Sequence, residues 1–266
     1  MLALGSNAPD RWEVGPTMPV FVGTSGWQYD SWRGMFYPDH LPQRLWLEHY
    51  AARFPTVENN SAFYRLPSLE TFESWRSRTP EGFVMAVKAS RYLTHIKRLR
   101  EPTEPVRRFI ESAAGLGDRL GPVLVQLPPN LPVAVDRLAE CLDQFPAGVR
   151  VAVEPRHDSW WIDEVREVLT ARDAALCWTD VLGRPRTRTW RTATWGYLRM
   201  HEGAALPWPR YGDQALRSWG RRIAETWPQG ADVYVYFNND PGGAAVRDAV
   251  RFGDICRRIG LSVPHA

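Results

Sequence analysis

Charged and imidazole side chains follow short apolar runs at several points along the chain. The clearest example is VRVAVEPRHDSWW (149–161), where three valines lead to Glu154, Arg156 and His157. Isolated charges are costly to bury, so such groups at a strand end must face a cleft or pair with one another. Glu58 follows an earlier apolar run, and two carboxylates in different environments can divide base and acid roles. We therefore expect Glu154 or Glu58 as general base and His157 as general acid, or else an ion-pair network inside a pocket rim.

A second set of residues has the chemistry to hold an anionic or sugar substrate. Its members are charged, polar or aromatic side chains close to the ends of apolar runs: Lys88, Gln126, Arg156, Asp180, Arg199, His201, Asn238, Asn239, Trp27 and Tyr29. A guanidinium presents a planar fork that suits phosphate and carboxylate groups, and an amide both donates and accepts hydrogen bonds. These residues are predicted to bind the substrate.

Lys88 is singled out by composition as well as by position. Of the 33 basic residues (Lys and Arg), only Lys88 and Lys97 are lysines, and Lys88 ends the apolar run FVMAV. Its amine could form a Schiff base if burial lowers its pKa, or it could be a point charge for an anion. Because two carboxylates are expected beside it, we favour a charged anchor at neutral pH. On that interpretation Lys88→Met leaves the buried carboxylates without a counter-charge and destabilises the fold by about 3–5 kcal/mol.

Two further ligand sites have to be weighed. The candidate ligands for a single divalent metal are Glu154, His157, His201 and either Glu58 or Asp180. Arg199, two residues before His201, would repel a metal, so a metal is the less favoured alternative, and no other cofactor is indicated. In FNNDPGG, Gly242 and Gly243 either let the backbone approach an anion or provide the dihedral angles of a tight turn, and the two explanations have equal weight.

These residues occur within a repeated strand-then-helix unit. About eight strand-like apolar runs alternate with helical patterns over residues 19–262, and polar residues follow nearly every run. The strand carboxyl ends of a closed barrel converge on one face, whereas an open doubly wound sheet has one switch point. We therefore predict an α/β fold: a single-domain TIM-type (β/α)8 barrel with a short or missing helix after strand six. Residues 1–18 are predicted to form an N-terminal arm without the features of a signal peptide.

The stretch after the first strand, residues 27–42, is rich in aromatic side chains. Gly34, Pro38 and Pro42 interrupt it too often for a long helix. Two interpretations have equal weight: an aromatic surface able to stack on nucleic-acid bases, and a hydrophobic plug over the end of the barrel.

Length and composition restrict the class of protein. A chain of 266 residues that is 44% hydrophobic can build one large core, and it has no apolar run of about 18 residues that could span a membrane. The net charge of +3 permits a nucleic-acid partner without indicating one. Cys141, Cys177 and Cys256 are odd in number and far apart, which is typical of reduced thiols in the cytosol. We expect a cytoplasmic protein with no membrane association.

Several segments together resemble one known family. They are GTSGWQYDSWRGMFYP, VENNSAFYRLP, FVMAVKASRYLTH, VLVQLPPNL, VAVEPRHDSW, YLRMHEG and VYVYFNNDPGGAA, and they cover nearly the whole chain from Val20 to Ile259. Their order is similar to that of the YecE-like family, known as domain of unknown function 72. The resemblance implies a TIM-type barrel similar to xylose isomerase-like barrels and apurinic endonucleases of the endonuclease IV type, but no settled activity. One departure is Ala62, where the family usually has threonine.

The combined expectation is an enzyme, a hydrolase or lyase acting on a phosphate-bearing sugar or nucleic-acid fragment. Its pocket contains carboxylate, histidine, arginine and lysine groups at the strand carboxyl ends. The alternative is a non-catalytic nucleic-acid-binding protein that uses arginines and the aromatic groups of the first loop. A small phosphate-bearing or sugar ligand is the favoured partner, with nucleic acid as the second candidate.

Overall fold

The strands of this protein are short and run almost entirely parallel. A computed structural model describes residues 18–264. The ten strands are β1 (Val20–Thr24), β2 (Thr56–Asn59), β3 (Val84–Lys88), β4 (Leu120–Gln126), β5 (Val151–Glu154), β6 (Ala175–Leu176), β7 (Trp178–Val181), β8 (Arg184–Pro185), β9 (Gly196–Met200) and β10 (Val233–Phe237). All eight runs predicted from the sequence are strands. The sixth is divided at Cys177 into β6 and β7, and β8 pairs antiparallel with β7.

The strands form two sheets of five rather than one continuous ring. One sheet has the order β1-β10-β9-β7-β8 and the other the order β2-β3-β4-β5-β6. The result is a mixed α/β domain with a TIM-barrel-like arrangement. The expected closed eight-stranded ladder is not observed within residues 18–264. It is interrupted where β1 faces β2 and again at Cys177, since β6 pairs in one sheet and β7 in the other.

A tyrosine hydroxyl takes the place of a backbone hydrogen bond between β1 and β2. Tyr50 Oη accepts from the Thr24 N–H at 2.9 Å and donates to the Thr56 carbonyl at 3.0 Å. Direct backbone bonding between the two sheets occurs two residues later, where the Gly26 N–H donates to the Glu58 carbonyl at 2.8 Å. Because buried backbone groups need partners, the Tyr50 hydroxyl satisfies the Thr24 N–H and the Thr56 carbonyl where the two strands do not bond to each other directly.

Within residues 18–264, eight α-helices follow the strands and cover the outer faces of the sheets. They are α1 (Trp46–Ala51), α2 (Ser61–Tyr64), α3 (Leu69–Ser77), α4 (Thr103–Ala113), α5 (Val135–Leu142), α6 (Asp163–Ala171), α7 (Asp213–Thr226) and α8 (Ala244–Arg258). No helix lies between β7 and β9, as expected for the sixth unit, since residues 182–195 contain only β8 and irregular chain. No described helix is both long and apolar enough to cross a membrane.

Alternate strand residues divide the buried side chains into two clusters. The larger cluster lies between strands and helices, and the smaller one lies on the other strand face, between the two sheets. Its principal members are Ala86, Leu124, Ala152, Ala175, Cys177, Tyr197, Tyr234 and Tyr236. Since strand side chains alternate with a period of two, the next inward positions toward the carboxyl ends are Ser25, Glu58, Lys88, Gln126, Glu154, Thr179 and Arg199. The interior thus changes from apolar to polar within one layer.

The loop after β1 is a hydrophobic plug and not an aromatic surface. Trp27, Trp32 and Tyr37 are all buried, and Tyr37 stacks on Trp46 with ring centroids 4.5 Å apart. The stacking-surface interpretation is therefore wrong for these rings, because they bury apolar area against α1 and each other instead of facing solvent.

The predicted N-terminal arm, residues 1–18, lies outside the described residues except for Met18. Met18 is buried, and its N–H donates to the Gln229 side chain at 3.2 Å. It therefore belongs to the packed domain.

Gly23 provides a test of the close approach between β1 and β2. A Cβ at Gly23 would lie 2.2 Å from the Thr56 carbonyl oxygen, so Gly23→Ala must push the two strands apart. We expect it to lower the free energy of unfolding by about 1–3 kcal/mol in urea titrations. The matched control is Gly253→Ala in α8, where the nearest atoms are 3.7 Å from the new Cβ. That variant should be neutral or more stable by up to about 1 kcal/mol, and equal destabilisation by both would contradict the strand-contact explanation.

Candidate functional site

A buried guanidinium lies at the centre of the polar layer. Arg199 on β9 donates to Glu58 from Nε to Oε2 and from Nη2 to Oε1, both at 2.9 Å. Its third nitrogen, Nη1, donates to Glu154 Oε2 at 2.7 Å. All three side chains are 3% exposed or less. Charge-assisted, two-pronged contacts of this kind are the strong form of the arginine–carboxylate pair, so this geometry fixes both carboxylates.

Glu58 has no capacity left for a substrate. Besides the two contacts with Arg199, it accepts from Ser25 Oγ at 2.5 Å and from Tyr197 Oη at 2.8 Å. Burial by itself raises the pKa of Glu58, but Arg199 and these hydroxyls outweigh it and hold the pKa below its ordinary value of 4.5. A fully buried carboxylate with four donors is a structural anchor and a poor proton acceptor.

Glu154 lies at the boundary between the buried layer and an open cavity. Its Oε1 accepts from Arg156 Nε at 2.9 Å, on the side away from Arg199. Burial opposes ionisation, yet Arg199, His201 and Arg156 together hold the pKa of Glu154 well below 4.5. Glu154 is therefore ionised at neutral pH and placed where its charge acts on groups in the cavity.

The cavity has a volume of about 610 Å³ and opens at the strand carboxyl ends. Six of the predicted site residues line it: Glu154, Arg156, Asp180, His201, Asn238 and Asn239. Four residues that were not predicted from the sequence line it too: Asp158, Trp161, Arg186 and Glu202. Asp158 and Glu202 adjoin selected residues, whereas Arg186 follows β8, a strand without a recognisable sequence pattern.

His201 is the imidazole that faces this cavity. Its Nδ1 lies 2.9 Å from Asn238 Nδ2, so the amide holds the ring in one orientation. Nε2 is 3.6 Å from Glu154 Oε1, buried, and without a hydrogen-bond partner among the described residues. An imidazole oriented on one nitrogen and free on the other is suited to proton transfer.

His157 has a different environment. Its Nδ1 accepts from the Ser159 backbone N–H at 3.2 Å and contacts Ser159 Oγ at 2.8 Å. It thereby caps the short 3-10 turn Asp158–Trp160, and α6 begins only at Asp163. His157 does not line the cavity.

Lys88 behaves differently from the expected anchor. Its Nζ lies 4.0 Å from the centre of the Phe63 ring, and within residues 18–264 no carboxylate oxygen lies within 4.0 Å of it. Desolvation and the charge of Arg199 lower the pKa of Lys88 from 10.5 to about 8. The carboxylates were expected to raise the pKa of Lys88, but desolvation and Arg199 outweigh them, because Arg199 already neutralises the carboxylates. With a pKa of about 8 the amine is still mostly protonated at pH 7, as expected. Lys88 and Gln126 adjoin Glu58 and Glu154 in the inward layer but do not line the cavity.

Asp180 and Asn239 support the cavity wall. Asp180 accepts from the His201 N–H at 2.6 Å and from Tyr211 Oη at 2.6 Å, and burial raises its pKa. Asn239 Nδ2 donates to Asp248 Oδ2 at 2.8 Å. These contacts fix the chain on either side of His201.

The two glycines after β10 are needed for the backbone conformation at that point. Gly242 and Gly243 have φ angles of 69° and 65°, in the left-handed region that favours glycine. A Cβ on them would lie 2.4 Å from a Trp208 atom and 1.9 Å from a Met35 atom respectively. The Trp208 and Met35 side chains thus lie against the two glycines, and the Gly243 N–H donates to the Asp240 carbonyl at 2.7 Å, as in a tight turn.

The two aromatic site candidates in the first loop also lie apart from the cavity lining. Trp27 is buried and meets Trp75 edge to face at 5.7 Å. Tyr29 is half-buried and donates to the Ser25 carbonyl at 2.5 Å. Neither ring is available for stacking in the manner predicted.

The metal candidates do not converge. Within residues 18–264 there is no group of three or more His, Cys, Asp or Glu side chains arranged to hold a metal ion. Glu58 and Glu154 are engaged by arginine, and His157 faces away from the cavity. The donor set present therefore does not fit a divalent metal.

Comparisons with known proteins give a consistent result. The family model described as "Protein of unknown function DUF72" matches residues 21–263. The UPF0759 protein YunF of Bacillus subtilis is 26% identical over 272 residues, covering 85% of this chain and 90% of YunF. The UPF0759 protein YecE of Escherichia coli is 28% identical over 143 residues, covering 53% and 50%. The crystal structure of a DUF72 family protein from Thermotoga maritima is similar with a TM-score of 0.78 and 28% identity, covering 90% and 99%.

The buried ion pairs predict sensitivity to acid. Because the native pKa of Glu58 is below 4.5, the unfolded chain takes up its proton at a higher pH than the native protein does. Its contribution to stability is therefore complete above 4.5 and is lost as the pH falls through the lower native value. Glu58→Gln should lower the free energy of unfolding at pH 7 by about 3–5 kcal/mol and flatten its decline below about pH 5.

The control for Glu58→Gln is Glu104→Gln. Glu104 pairs with Arg107 on the surface, with both side chains more than half exposed. Its loss should change the free energy of unfolding by less than about 1 kcal/mol. Urea titrations from pH 3 to pH 7 measure both variants. An unchanged acid profile for Glu58→Gln would show that the buried pair does not control acid unfolding.

Lys88→Met is expected to unfold within about 1 kcal/mol of the unsubstituted protein at pH 7, since no ion pair is lost. The native pKa of Lys88 is about 8 against an ordinary 10.5, so between these values the unfolded chain holds a proton that the native protein has released. The free energy of unfolding should therefore rise with pH between about 8 and 10.5, and Lys88→Met should not show this rise. A loss of 3 kcal/mol or more at pH 7 in urea titrations would restore the ion-pair interpretation.

Proposed function

The chain belongs to the DUF72 family of YecE-like proteins, and from the geometry of its cavity we propose that it is a hydrolase or lyase acting on a phosphate-bearing sugar or nucleic-acid fragment. The proposal takes the two sheets as halves of one TIM-type (β/α)8 barrel with its site at the strand carboxyl ends. Its three cysteines are free and buried, which suits a reducing compartment, and we propose a cytoplasmic location.

The observation that carries the proposal is the position of His201. Nε2 of its ring has no hydrogen-bond partner among the described residues, although it is buried at the cavity wall. Buried polar groups are normally satisfied, so an unsatisfied one at a cavity indicates a place for a ligand atom. In this proposal His201 donates a proton to the leaving group or takes one from the attacking group.

Glu154 positions and stabilises His201 without exchanging a proton itself. Because its pKa lies well below 4.5, it stays ionised throughout a reaction near neutral pH. Its Oε1 lies 3.6 Å from His201 Nε2, close enough to favour the protonated imidazole as it forms. Glu58 and Arg199 act one step further away by holding Glu154 in place.

Arg156 supports the choice of an anionic substrate. It lines the cavity with its side chain 38% exposed, so its guanidinium can reach a ligand while still paired with Glu154. Arg186 lies at the same cavity and is exposed. Two planar guanidiniums beside one imidazole suit a phosphate group next to the bond that is cleaved.

Trp161 supports the choice of a ring-containing substrate. It is half-buried in the cavity wall and meets Trp190 edge to face at 6.2 Å, which holds its ring in place. A fixed indole face beside polar groups can stack on a sugar or a base. The remaining apolar wall is formed by Pro129, Pro155, Pro209 and Pro241.

Turnover of a substrate panel tests the proposal. Sugar phosphates, nucleotides and short oligonucleotides are incubated with the protein, and bond cleavage is followed by phosphorus and proton NMR. We expect cleavage of at least one compound, and His201→Gln should reduce its kcat by about 10²–10⁴-fold because the proton donor is lost. His157→Gln is the matched control and should retain the activity.

Two results would overturn the proposal. The first is full activity in His201→Gln, which would move the chemistry elsewhere. The second is absence of turnover together with oligonucleotide binding that falls steeply as salt rises, which is typical of backbone-directed nucleic-acid binding. That outcome would favour the non-catalytic alternative.

A further inference from the structure

Lys88 is a buried amine with no counter-charge. It occupies the inward-facing position at the carboxyl end of β3, and the residue is 8% exposed. Its Nζ lies over the face of Phe63 from α2, 4.0 Å from the ring centre. Among the described residues it donates no hydrogen bond and has no carboxylate oxygen within 4.0 Å. The ring supplies a weak attraction for the charged form where most buried lysines have a carboxylate.

The charged groups around Lys88 leave its ammonium in surplus. Glu58 and Glu154 are both paired with Arg199, and Glu154 is paired with Arg156 as well. On the α2 side, His95 meets the same Phe63 ring edge to face at 5.0 Å. The net effect of desolvation and of these cations is a pKa of about 8 for Lys88. At pH 8 about half of this amine is unprotonated, and the unprotonated form is the nucleophile.

The other lysine of the chain has the opposite environment. Lys97 forms an ion pair with Glu101 four residues later, and that hydrogen bond raises its pKa above 10.5. Its side chain is 31% exposed. Apart from the N-terminal amine, the sequence has no other primary amine. Lys97 is therefore an internal reference for the reactivity of Lys88.

We infer that Lys88 is a nucleophilic amine that forms an imine with a small carbonyl compound carrying an anionic group. The carbonyl is expected because an unpaired, desolvated lysine beside an aromatic ring is suited to attack it. The anionic group is expected because Arg156 lies at the adjoining cavity with its guanidinium partly exposed. This site is separate from the proton transfer proposed for His201.

The reaction is balanced without any further reagent. The unprotonated Nζ attacks the carbonyl carbon, and the carbonyl electron pair moves to oxygen, which takes up a proton. The resulting carbinolamine loses its hydroxyl group with one proton as water, and the nitrogen gives up its second hydrogen to form the C=N bond. The sum is amine plus carbonyl compound giving imine plus water. Arginine at this position could not react, because its guanidinium stays protonated.

Reductive trapping tests the inference. The intact protein is incubated with glyoxylate and cyanoborohydride at pH 8, digested, and mapped by mass spectrometry. We expect Lys88 to gain the carboxymethyl adduct at least about 10 times faster than Lys97, since a far larger fraction of its amine is unprotonated. Lys97→Arg should leave the rate at Lys88 unchanged. Faster labelling of Lys97, or labelling of the N-terminal amine alone, would overturn the inference.

Three further measurements separate the parts of the inference. The rate at Lys88 should rise with pH around a midpoint of about 8 and then level off, whereas that at Lys97 should still be rising at pH 9. Lys88 should prefer glyoxylate to propanal, a neutral aldehyde, more strongly than the N-terminal amine does. An equal preference at the two amines would contradict the requirement for an anionic group. His201→Gln should label normally, so failure of the imine and failure of the proposed enzyme activity are distinguishable.

Discussion

The buried contacts of Arg199 hold the two sheets together at the end where the cavity opens. Arg199 belongs to the sheet that contains β1, whereas Glu58 and Glu154 belong to the other sheet. Burying a charge is favourable only when its partners are close and well aligned, so the three side chains restrict each other to one geometry. The Ser25 hydroxyl, from the end of β1, completes the contact with Glu58. The cross-sheet connection and the floor of the cavity are thus formed by the same atoms.

Below the layer of charged residues, the packing between the two sheets depends on the ionic contacts of Arg199. On the inward faces of the strands, Tyr197, Tyr234 and Tyr236 lie opposite alanines, so bulky and small residues fill the interior together. The Tyr50 hydroxyl replaces a direct backbone bond between β1 and β2, which leaves that seam with fewer ladder hydrogen bonds than its neighbours. A strong ionic contact directly above the seam compensates for this. Stability and site geometry therefore depend on the same few residues.

Most of the fold could be predicted from the sequence, but the sharing of partners among the charged groups could not. Strand ends are visible as apolar runs, and the convergence of their polar residues follows from parallel topology. Whether a given carboxylate is free depends on contacts between residues 141 positions apart, such as Arg199 and Glu58, and no local pattern reports them. The same limit led to the choice of His157 over His201, since both follow a strand. Likewise, the aromatic residues after β1 would be the same whether they formed a buried plug or an exposed surface, so their composition could not distinguish the two.

The arrangement of charge also explains why two kinds of cation occur in the inward layer. Glu58 and Glu154 carry two negative charges, and Arg199 and Arg156 balance them. A fifth charge at Lys88 has no partner in a poorly solvated region, where an uncompensated ion is costly. A guanidinium could not relieve that cost, because it does not release its proton in proteins. An amine can, because a native pKa of about 8 lets it lose its proton in mildly alkaline solution. Position 88 thus differs from position 199 in its physical requirement: the first needs a cation that can become neutral, and the second needs one that cannot.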